Sequence, residues 1–97
     1  MSDDWGFAPP PFDPEAALLQ LKRSLRELGL AERGNGCELR GKRVIEWSVG
    51  AATIEARLAR RPALAPEWDA QPLKSATDQR KLVDELKKRL ERWQRED

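Results

Sequence analysis

Two segments of this chain repeat a large apolar residue every three or four positions, and between them lies a stretch in which apolar and polar residues alternate. Leu18, Leu21, Leu25 and Leu28 trace one stripe; Leu82, Leu86, Leu90 and Trp93, widened by Val83, trace the other. Those spacings follow the helical period. From Cys37 to Arg61 the period drops to two. Cys37 and Leu39 alternate with Glu38 and Arg40; Ile45, Trp47 and Val49 with Glu46 and Ser48; Ile54, Ala56 and Leu58 with Thr53, Glu55 and Arg57. This is the signature of half-buried strands, although Ala51 to Arg61 is also rich in helix formers and a helix there stays open. The predicted fold class is α+β in the order α-β-β-β-α, a three-stranded antiparallel meander with two helices packed on one face.

Local chemistry sets the ends of the elements. Asp13 is a helix cap, Pro14 suits the first helical position, Glu15 meets the positive end of the dipole, and Gly29 can end the helix. The second helix is predicted from about Thr77 to Trp93, with Ser75 and Asp78 spaced as in a capping box. Three acid-before-base pairs, Asp84 with Lys88, Glu85 with Arg89 and Glu91 with Arg95, decorate its polar side. Residues 31–36 read as a loop. Residues 61–73 carry Pro62, Pro66 and Pro72 and read as an extended connection that Trp68 pins against the core.

Strand parity leaves the two hairpins open. A strict two-residue loop at Gly41-Lys42 would set Leu39 against Val44 and throw the apolar sets onto opposite faces, whereas a longer loop or a bulge near Gly41 sets Cys37 against Ile45. In the second hairpin, a two-residue Gly50-Ala51 turn would oppose Glu46 to Glu55; a four-residue loop would oppose Glu46 to Arg57. Turn chemistry favours the first and charge the second. The expected core is Leu21, Leu25, Leu28, Leu39, Ile45, Trp47, Ile54, Leu58, Leu82, Leu86 and Leu90, with a polar face on the other side of the sheet. Residues 1–12, in which Trp5, Phe7 and Phe12 surround Pro9-Pro10-Pro11, read as a flexible tail, and residues 13–95 as a single domain.

Composition narrows the chemistry. The 97 residues suffice for one core. Cys37 is the only cysteine and histidine is absent, which removes an intramolecular disulfide, multi-cysteine zinc sites and the usual proton carrier near neutral pH. No apolar run approaches the ~18 residues of a membrane span, and the start of the chain is acidic, so the expectation is a soluble, cytoplasmic protein that avoids membranes. An excess of Arg over Lys, with abundant Ala, points to a GC-rich bacterial genome. Lys and Arg number 18 against 17 Asp and Glu, and the first fourteen residues stand at −3 against +4 for the remainder.

Little here supports catalysis. The residues to consider are Cys37, on the apolar side of a strand where a thiol is inert, and the pair Glu46 and Glu55, on an outer face where both stay ionised. Gly34-Asn35-Gly36 is too short for a nucleotide loop and follows a helix where such loops follow a strand. The expectation is a protein with no catalytic residues, no cofactor and no metal: a non-enzymatic interaction domain, adaptor or regulatory in kind, that binds another protein or itself. The contact candidates are Trp5, Phe7, Trp68 and Trp93, because aromatics dominate interface energy.

The alternative is nucleic acid. Arg23, Arg26, Arg40, Lys42, Arg43, Arg60 and Arg61 are the available phosphate contacts. The order helix, three strands, helix resembles that of double-stranded-RNA-binding domains over roughly residues 13–95, which would imply backbone and shape recognition. Two features depart from that pattern: acidic Asp78 near the start of the last helix, and the proline-rich 61–73 segment. The isoelectric point near 7.9 also falls short of the strong basic bias of such domains.

Overall fold

A computed structural model of the chain describes residues 12–96. Trp5 and Phe7 lie outside them. The elements are α1 (Pro14–Glu27), β1 (Ala31–Arg33), β2 (Gly36–Leu39), β3 (Lys42–Val49), β4 (Ile54–Ala63), β5 (Trp68–Leu73) and α2 (Ala76–Glu96). All five strands join one antiparallel sheet in sequence order. The α+β class holds, but five strands replace the three expected.

Both additional strands lacked the signal that reveals a strand. β1 is three exposed residues with no apolar alternation, recruited by pairing with β2. β5 contains Pro72, which a central strand would exclude; an edge strand tolerates it, because a position whose N–H would face outward loses no bond to the neighbouring strand. The 61–73 segment is thus the end of β4, a short turn and an edge strand. With five strands, the topology departs from that of double-stranded-RNA-binding domains.

The helix ends follow local chemistry. Asp13 Oδ1 accepts from the N–H groups of Glu15 and Ala16 at 3.1 and 3.3 Å. At the other end Gly29, with φ of 85°, donates to Arg26 O, and the following Leu30 N–H reaches back to Leu25 O. This is a Schellman closure, and it turns Leu30 into the core. At α2, Ser75 Oγ accepts from Asp78 N–H, while the Asp78 carboxylate accepts from Lys74 N–H. The predicted box is present, shifted by one donor. Of the three acid–base pairs proposed along α2, Glu85–Arg89 closes, at 2.8 Å.

Both hairpins resolve in favour of burial and charge. The first turns on Arg40-Gly41, both with positive φ, and pairs Leu39 with Lys42. A bulge then makes Val44 an extra residue between Arg43, opposite Glu38, and Ile45, opposite Cys37. The Cys37–Ile45 pairing is as expected, and the bulge lies at Val44 rather than near Gly41. It lets Val44 and Ile45 both enter the core. In the second hairpin, Glu46 opposes Arg57 and Val49 opposes Ile54 across a four-residue loop.

α1 and α2 cover one side of the sheet. Leu21 and Leu25 from α1 and Leu82, Leu86, Leu90 and Trp93 from α2 form one cluster with Cys37, Ile45, Trp47, Ile54, Ala56, Leu58 and Leu73. Each such leucine contributes about 1.5–3 kcal/mol by burial. Leu28 and Leu39 are half-buried against this cluster rather than inside it. Trp47 faces the helices, with Lys22 of α1 5.9 Å above its ring. No helix among the described residues is long and apolar enough to cross a membrane.

Candidate interaction surface

The side of the sheet away from the helices carries an ion network that crosses four strands. Arg43 on β3 is its hub. Its Nε donates to Glu46 Oε2 at 2.9 Å, Nη1 to the Arg33 carbonyl at 3.0 Å, and Nη2 to Asn35 Oδ1 at 3.2 Å. Glu38 on β2 lies 3.8 Å from the same guanidinium. Asn35 in turn brackets Trp47, accepting from its N–H and donating to its carbonyl. One arginine therefore fastens the β1–β2 turn onto the centre of the sheet. Gly36 makes room for it: a Cβ there would collide with the Ile45 carbonyl and the Arg43 guanidinium.

From Glu46 the network continues outward. Arg57 on β4 donates to Glu46 Oε1 through Nε at 3.1 Å and also through Nη2. Partial burial pushes the Glu46 carboxyl up, but the hydrogen bonds and charges of Arg57 and Arg43 outweigh it and hold its pKa below the usual carboxylate value. The Arg57 guanidinium then lies 4.5 Å over the ring of Trp68 on β5. Trp68 pairs with Ala59 and sits half-buried on this uncovered side, outside the core cluster. It does not pin the 61–73 segment to the core, and the uncovered face does carry an aromatic after all.

The remaining candidates separate. Trp93 is 5% exposed and belongs to the core cluster, and what it leaves open lines a cleft with Leu39 and Pro62. Cys37 is buried, and desolvation, aided by the Glu32 charge, pushes its thiol up to about 11 against the lowering pull of Arg43 and Lys22. Glu46 and Glu55 do not face each other: Glu55 pairs with Ser48 and accepts from Thr53 Oγ1 at 3.3 Å. Among the described residues, no group of three or more potential ligands is placed to hold a metal ion.

The seven basic candidates do not form one surface. Arg43 is consumed by the uncovered-face network. Arg60 donates to Asp69 Oδ1 at 2.9 Å, and Asp69 also meets Arg89 of α2 at 3.1 Å. Arg23 and Arg26 are exposed on α1. Arg40, Lys42 and Arg61 do converge, on the rim of a cleft between the first hairpin, the end of β4 and the last turns of α2. The Arg43 hub and the Arg57–Trp68 stack escaped sequence reasoning. The alternation around Glu46 contained the hint, since the register that pairs it with Arg57 also carries Arg57 toward a fifth strand.

Compared with known proteins, the chain matches no family model, no curated protein and no solved structure. The geometry alone carries the functional reading.

Proposed function

We propose that this domain is a non-enzymatic binding module that takes an extended segment of a partner protein along β5, with Trp68 and Arg57 as its anchors. The observation that carries this reading is the Arg57–Trp68 stack beside an edge strand. Tryptophan and arginine concentrate binding energy at interfaces. β5 is the last strand of the sheet, so its outward backbone groups are available for strand addition as far as Pro72 interrupts the donors. An incoming strand would extend the sheet while one of its side chains rests on the half-buried indole.

The groups an enzyme would need are tuned against that use. Burial disfavours the thiolate of Cys37, and the arginines disfavour a proton on Glu46. Self-association through β5 satisfies the same geometry as a foreign partner. The deciding experiment compares wild-type protein with Trp68→Ala and with Lys87→Ala, a surface control on α2. Partners captured by the wild type should be lost with Trp68→Ala alone, and amide shifts on partner addition should map to residues 67–73. Capture that survives Trp68→Ala, or shifts confined to α1, would overturn the reading.

A further inference from the structure

The cleft at the rim of the helix-covered side has the makings of a second, chemically different site. It encloses about 220 Å³ between the β2–β3 turn, the end of β4 and the last turns of α2. Leu39, Pro62 and Trp93 form apolar walls, Lys42 and Arg61 supply cations beside Arg40, Gln94 supplies an amide, and no carboxylate among the described side chains lines it. We propose that this cleft binds a compact phosphate-bearing ligand.

Charge distribution carries the argument. The other basic residues of the strands are neutralised locally: Arg33 by Glu38, Arg43 and Arg57 by Glu46, Arg60 by Asp69. Arg40 has a partner of its own. Lys42 and Arg61 form no ion pair among the described residues, and they meet at the cleft from two different strands. The carbonyls at the end of α2 oppose an anion there with roughly half an elementary charge. Two full positive charges outweigh that, and apolar walls screen them less than open water would.

Polar supply and size agree with the charge. The indole Nε1 of Trp93, a wall residue, is buried without an acceptor. That atom has under 1 Å² of accessible area, so it is no donor to a ligand in the cleft, where the polar supply is the Gln94 amide with the two cations. The volume falls below the ~300–1,000 Å³ of sites for drug-sized molecules, which fits a single phosphate group with a small organic body. Lysine supplies a point charge and arginine a planar fork, a pair suited to the several oxygens of a phosphate. A duplex would require a cationic track, which the dispersed positions of Arg23, Arg26, Arg43 and Arg60 do not supply.

The test titrates inorganic phosphate and a 5′-nucleoside monophosphate, each at constant ionic strength, while amide and Trp93 indole resonances are followed. Wild type should give saturable shifts at residues 39–42, 61–62 and 93–94. Affinity should fall at least tenfold in Lys42→Ala/Arg61→Ala and stay unchanged in Lys87→Ala. A stronger response to the monophosphate than to phosphate would identify a ligand with an organic body, and the reverse a free anion. Either supports the site. No saturable shift, equal affinity in the double variant, or binding of duplex RNA without binding of either phosphate would overturn it. Both substituted residues are exposed, so the variants should retain the fold. The outcome is independent of the β5 docking reading.

Discussion

Glu46 and Arg57 face each other across β3 and β4, and that one pairing decides the register of the second hairpin. The alternative would have placed two carboxylates side by side. Because Arg43 reaches Glu46 from the same strand, the carboxylate is held between two guanidinium groups, and the folded state favours its ionised form.

The sign of the resulting pH dependence follows. The folded pKa of Glu46 lies below the unfolded value of 4.5, so its stabilisation is complete above that pH and is lost as pH falls through the folded value. Denaturation midpoints of the wild type should therefore drop more steeply below pH 4.5 than those of Glu46→Gln. At pH 7 the substitution should cost about 1–2 kcal/mol, because two arginines lose a charged acceptor. Parallel pH curves for the two proteins would contradict the network.

Gly36→Ala should be more damaging than its place beside a turn implies. The added methyl meets a backbone carbonyl, which cannot step aside, as well as the Arg43 guanidinium. Overpacking of this kind costs about 1–3 kcal/mol. Urea midpoints at unchanged m-value measure it, and a neutral result would mean that the turn shifts without resistance.

Cys37 should resist alkylation in the native state. At pH 8 the thiol is buried and its pKa is pushed to about 11, so both access and thiolate fraction are small. Labelling with a thiol reagent should track unfolding, rising across the same urea range as the loss of circular dichroism. Fast native labelling would show that β2 opens without the rest of the domain.

Arg89 ties α2 to β4 and β5 through the Ala59 carbonyl at 3.0 Å and Asp69 at 3.1 Å, pairs with Glu85 of its own helix at 2.8 Å, and its side chain is only 12% exposed. Replacing it with Met retains the packed stem and removes every one of those bonds. The expected loss is about 2 kcal/mol, with Arg89→Lys intermediate. Hydrogen exchange should then rise first in β5. Unchanged exchange there would separate the strand from the helix energetically.

The helices and central strands were legible because Leu21, Leu25, Ile45, Ile54, Leu82 and Leu86 obey simple periods and own the core. The margins were not. β1 is held by backbone pairing and by the Arg43 contact to Arg33, neither of which leaves an apolar trace. β5 hides behind its proline, and Trp68 lies across the sheet from the leucines because its pairing with Ala59 turns it to the face of Arg57. Trp93 looked available because its place in the core cluster depends on residues distant in sequence. The basic residues were readable one by one, whereas their sorting into neutralised and unneutralised sets depends on partners distant in sequence.

The sheet order also governs how the chain closes. Each strand meets its sequence neighbour, so hairpins can zip one after another with short excursions. The helices stand at opposite ends of that ribbon and yet lean on each other above it. Their meeting is the long-distance event, and neither leucine stripe is sealed until it happens. Trimming either helix should therefore unravel the whole assembly in a single step instead of leaving a stable remnant.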